Sequence, residues 1–178
     1  MPIARARAFA LSLAAALLLP TAQAQTAGKL DFNPPELPAE LKGLTSLQQI
    51  GGACDMLFNR TTKTLTEEYF KSADSERAGT VFGWVRDLSA RRQALETAGV
   101  TGMGIATADI PVIQKAFRAP NMSPAGMERA FKFCDALGDS VTSATRQAFN
   151  DKEWGEFQTE VSRRALKTLL DGAPKAKE

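Results

Sequence analysis

From Leu44 onward the apolar residues recur at helical spacing. Leu44, Leu47, Ile50, Cys54, Leu57, Phe58, Leu65 and Tyr69 follow an i, i+3, i+4, i+7 rhythm, which predicts an amphipathic helix with a weak turn at Thr61 and Thr62. Val81, Trp84, Val85, Leu88 and Leu95 predict a second helix, stopped by Gly99. A glycine-rich loop follows, then a short helix over about 109–118. Ser123-Pro124 places a capping hydroxyl before a proline at the first helical position, a strong start signal. The helix it opens carries Met127, Ala130, Phe131, Phe133, Cys134, Leu137, Val141 and Phe149. Asn150-Asp151 ends that helix and caps another, which runs through Trp154, Phe157, Val161, Ala165 and Leu169 to Gly172.

No stretch alternates apolar and polar residues for long, so strands are not expected. The predicted fold class is all-α: a compact bundle of four longer helices plus one short helix. Phe131 and Phe133 project about 200° apart on a helix. That breadth of apolar surface makes their helix the candidate for the centre.

The region before the bundle reads differently. Arg5 and Arg7, an apolar run over 8–19, Pro20 and then Ala22-Gln23-Ala24 have the parts of a secretory signal peptide over 1–24. The apolar run is shorter than the ~20 residues that cross a bilayer. Periplasmic or secreted localisation is the expectation. Residues 25–43 hold Pro34, Pro35 and Pro38 and read as an extended lead-in. The lead-in is either a linker or an arm that packs Leu30, Phe32 and Leu37 on the body. The helical domain is expected over 44–172, with a flexible tail over 173–178.

Composition sharpens this picture. The chain has 178 residues, 44% of them hydrophobic, which is too apolar for a disordered protein. Losing the signal takes Arg5 and Arg7 from the 22 basic residues and leaves them equal in number to the 20 acidic ones. A chain without net charge offers no field to steer nucleic acid, so a nucleic-acid partner is not expected. Cys54 and Cys134 are the only cysteines, and both fall on apolar helical stripes. In an exported chain they are expected to pair, tying the first long helix to the one opened by Pro124.

Histidine is absent altogether. That excludes a Ser-His-Asp triad, a Cys-His pair and His-ligated zinc built from this chain alone, and no cofactor or metal set is expected. Gly99, Gly102 and Gly104 lack the setting of a phosphate loop. Glu153, Glu156 and Glu160 recur at helical spacing, and paired carboxylates can hydrolyse glycans when their separation suits. The simpler reading is a solvated face, with Glu160–Arg164 and Glu67–Lys71 as i, i+4 ion pairs.

Leu44-Thr45-Ser46-Leu47-Gln48 resembles the Leu-Thr-x-x-Gln element of small helical periplasmic chaperones. A second stretch, Leu65-Thr66-Glu67-Glu68-Tyr69, departs from it at the last position, and no residue role is carried over.

These features together lead to a periplasmic helical binding protein, not a catalyst, that acts through an unidentified envelope protein as an inhibitor, immunity-like or chaperone-like factor. A carboxylate glycan-acting enzyme and a binder of a small apolar ligand are the alternatives. Arg91, Arg92, Met103, Phe117 and Met122 are the candidate partner-binding residues, because interfaces favour aromatic side chains, Met and Arg.

Overall fold

The computed structural model describes residues 35–72, 74–101, 107–118 and 122–173. Five α-helices follow a short 3₁₀ turn at Ala39–Leu41: α1 at Leu47–Lys71, α2 at Ser75–Thr97, α3 at Ile110–Ala116, α4 at Pro124–Ala148 and α5 at Asp151–Asp171. Among the described residues there is no strand, and the all-α expectation holds. Residues 1–34, with Leu30 and Phe32, lie outside the described residues, as do Met103 and 174–178.

Local chemistry sets the helix ends. Ser46 accepts from the Gln49 amide at 3.1 Å, so α1 begins three residues after Leu44. Leu44 is left in the lead-in, where it is 3% exposed. The chaperone-like stretch is thus a buried leucine followed by a helix cap. No break occurs at Thr61 and Thr62: the helix continues, and the Thr66 hydroxyl donates back to the Thr62 carbonyl at 2.9 Å. Back-bonding of this kind satisfies the buried Thr66 hydroxyl, while Thr62, 2% exposed, has no hydroxyl partner among the described residues and is held by packing.

At the other end of α2, Gly99 has φ of 69°. The Val100 amide donates to Leu95 and the Gly99 amide to Glu96, both at 2.9 Å, which is the paired closure that a left-handed glycine permits. Ser123 caps α4 as its sequence predicts. Asn150 and Glu153 cap α5 reciprocally, amide to side chain in both directions.

The lead-in behaves as an arm from Pro35 onward. Leu37 packs on the core and Leu41 is fully buried. The main core joins Leu41 and Leu44 to Cys54, Leu57 and Phe58 of α1, Leu88 and Leu95 of α2, Ile113 of α3, Phe133, Cys134, Leu137 and Val141 of α4, and Phe157 and Val161 of α5. Phe131 is half-buried and meets Phe58 edge-on with ring centroids 5.9 Å apart.

The centre, however, belongs to α2 rather than to α4. α2 lies against α1, α4 and α5, whereas α4 packs on α1, α2 and the 3₁₀ turn. The wide apolar surface of α4 is explained by the lead-in, which covers part of it. Trp84, counted on the apolar stripe of α2, is instead 49% exposed.

Cys54 and Cys134 form a disulfide with their Cα atoms 5.1 Å apart, joining α1 to α4 within the core as expected. Gly51 provides a second close approach: a Cβ there would stand 2.6 Å from the Val100 carbonyl oxygen. Only a side chain of hydrogen lets the loop after α2 rest on α1.

Two outcomes follow for stability, both read by urea unfolding. Replacing both cysteines with serine should lower unfolding free energy by about 4 kcal/mol at most, since the cross-link closes a long loop in the unfolded chain. Gly51→Ala should cost about 1–3 kcal/mol, because the obstructing atom is backbone and cannot swing away.

Candidate functional site

The cleft of greatest interest lies between the 3₁₀ turn and α3. Ala39, Glu40 and Gly43 form one wall, and Val112, Lys115 and Ala116 form the other, bounding a half-open groove of about 540 Å³. That volume falls within the ~300–1,000 Å³ typical of ligand pockets.

Each wall is fixed from behind. Leu41 and Leu44 hold the turn by burial, and Ile113 does the same for α3. The Gln49 side chain joins the two sides through α1: it accepts from the Thr45 amide and donates to Asp109, both at 2.9 Å. Small residues at 39, 43 and 116 leave the opening, and Val112, 38% exposed, contributes apolar surface.

Glu40 anchors this arrangement. Its carboxylate receives Arg129 of α4, with Nε 3.1 Å from Oε1, and its side chain lies against Gly126. The guanidinium holds the carboxyl below its usual range. Oε2 is buried without a hydrogen-bond partner among the described residues. The other oxygen, Oε1, sits beside the first turn of α4, where the helix dipole favours negative charge.

The candidate residues from sequence divide into two kinds. Arg91 and Arg92 join helices. Arg91 Nε lies 3.1 Å from Asp135 and 2.9 Å from Asp139 of α4, and its stem runs across Gly138. Arg92 Nε donates to Asp55 of α1 at 2.7 Å. Phe117 and Met122 are half-buried and packed on the main core at the end of α3 and the approach to α4. Neither pair gathers with the other into one site. The cleft residues Ala39, Glu40, Gly43 and Val112 were not singled out in the sequence, where short side chains in an irregular lead-in carry no motif.

The three glutamates of α5 all have partners. Glu153 completes the α5 cap. Glu156 faces Lys152 at 3.9 Å in the open. Glu160 accepts from Arg163 and from Arg164, whose other nitrogen reaches Glu96 of α2 at 2.5 Å. Hydrogen bonds from Arg163 and then Arg164 lower the Glu160 carboxyl to about 2 from 4.5. The expected Glu160–Arg164 pair is therefore present. Near the α1–α2 turn the ion pair is Glu68–Arg77, and Glu67 and Lys71 stay exposed.

No protein-family model matches this chain, and no curated protein or solved structure matches it. Among the described residues, no helix is long and apolar enough to cross a membrane.

The Glu160 cluster predicts a pH dependence. A carboxyl whose folded pKa is depressed stabilises the fold above its unfolded pKa, and that contribution is lost as pH falls through the folded one. Unfolding free energy should therefore decline between about pH 4.5 and pH 2. Glu160→Gln should be less stable at neutral pH and show a shallower decline over that window, measured by urea titrations at stepped pH.

Proposed function

We propose that the chain is an exported helical binding protein that acts through an envelope protein partner, engaged at the cleft between the 3₁₀ turn and α3. The observation that carries this reading is the cleft itself: an opening of about 540 Å³ with an exposed valine on a wall whose backing is buried. A preformed groove whose walls are anchored by buried side chains loses less conformational freedom on taking a ligand group than one that must first be ordered. Export rests on the signal-like pattern over 1–24. A binding role is also supported by the α5 glutamates, which are occupied in a cap and in ion pairs rather than facing each other across an opening.

The volume of the same cleft also favours a second reading, in which a small apolar molecule is held between the turn and α3. Native mass spectrometry of the purified protein separates the two, since a retained small molecule would add a discrete mass.

Gly43→Leu tests the site. A Cβ at Gly43 meets nothing within 4 Å, so a larger side chain can enter the cleft without disturbing the backbone. In affinity capture from envelope extract, the unaltered protein should hold a defined partner, and Gly43→Leu should lose at least tenfold of it while unfolding at the same urea concentration. Equal retention by the two proteins would remove the cleft from the mechanism. Failure to hold any partner under varied conditions would remove the partner.

A further inference from the structure

One end of the bundle is built on a separate and much smaller core. Val81 and Val85 of α2 meet Ala165 and Leu169 of α5, with Leu65, Tyr69 and Phe82 packed around them. α4 contributes nothing to this cluster, and the disulfide lies in the other core. Among the described residues the ion pairs on these segments are Lys167–Asp171, exposed on both sides, and Arg77–Glu68, in which Arg77 is exposed and Glu68 half-buried; pairs this open to solvent are worth little.

The helix itself is weak here. Gly79 and Gly83 stand one turn apart in α2, and a Cβ at either would meet nothing within 4 Å. No close approach requires them, in contrast to Gly51 against Val100 or Gly138 against Arg91. Each nevertheless lowers helix propensity relative to alanine. The same segments leave apolar side chains in water: Phe70, Trp84, Leu166 and Leu170 are 38%, 49%, 52% and 73% exposed.

We propose that the last two turns of α1, the first three turns of α2 and the last two turns of α5 open together, in a local equilibrium that leaves the disulfide-tied body folded. Opening this end disrupts the smaller core, the contact of Leu65 at the margin of the main core, the close approach of Gly172 to Thr66 and weak surface pairs, while the buried contacts around Cys54 and Cys134 persist. Such a unit exchanges at a lower free energy than the whole protein. In the open state Val81, Val85, Ala165 and Leu169 become accessible beside side chains that were already exposed. The closed form does not offer that apolar surface.

Hydrogen exchange on the oxidised full chain, read by mass spectrometry under conditions where closing outpaces exchange, tests the proposal. Amides over 80–86 and 166–171 should share one protection level, well below that of 54–58 and 133–141. The double variant Gly79→Ala/Gly83→Ala should slow exchange in both segments by roughly twentyfold, from the propensity of two alanines, and leave the body unchanged. Equal protection of both ends would overturn the separate opening. Slowing confined to α2, with α5 unaffected, would overturn its concerted character.

Discussion

A helix with neighbours on three sides must distribute its contacts around its circumference, and α2 does this within two turns. Arg91 reaches α4, Arg92 reaches α1 and Glu96 reaches α5. Between and beneath these pairs, Leu88, Ala94 and Leu95 supply the buried surface. The apolar contacts provide most of the stabilisation, because partly exposed ion pairs contribute little each. What the pairs add is register: a helix slid along its neighbours would mismatch its charges with all three of them. The lead-in, α3 and the cleft depend on that register, since they rest on the frame α2 organises.

The disulfide acts on a contact that packing has already made. Cys54 and Cys134 are both fully buried, and Phe58 meets Phe131 about one turn away. Directions follow from these pairs: residue numbers rise along α1 as they fall along α4, so the two helices are antiparallel. Asp55–Arg92 and Glu68–Arg77 give the same relation between α1 and α2. Steric economy matters as much as the cross-link. Gly138 makes room for the Arg91 stem, which then lies flat enough to reach both Asp135 and Asp139. A larger residue at 138 would force a choice between helix spacing and the ion pairs.

The boundaries of α4 and α5 were legible in the sequence, down to their caps. Ser123-Pro124 and Asn150-Asp151 mark their boundaries because capping is local chemistry and needs no knowledge of the fold. The pairing of Cys54 with Cys134 was legible because both lie on buried stripes and no third cysteine competes. The central position of α2 was not. Its contacts are spread over several faces, so no single stripe announces them, and Trp84 mimics a core residue by spacing alone. Threonines at 61 and 62 read as a weak turn because their propensity is poor, but Thr62 is buried at 2% exposure, and packing carries the helix through them. The cleft was hidden for a different reason. Its walls are remote in sequence, and its small residues matter by the space they leave.

That origin has a mechanical consequence. The cleft lies between the least regular elements described, a three-residue 3₁₀ turn and a seven-residue helix, neither of which is stable alone. Both are nevertheless fixed, since Leu41, Leu44 and Ile113 insert into the same core that surrounds the disulfide. Glu40–Arg129 adds a tie from the turn to α4. Stiffness at the cleft is therefore borrowed from the cross-linked body, while the weakest packing lies at the opposite ends of α1 and α2, around Val81 and Leu169. A fluctuation there does not require Leu41, Ile113 or the disulfide to move. The bundle can keep a firmly backed cleft wall and a loosely held end in one small fold because, among the described residues, its two cores share only Leu65 at their margin.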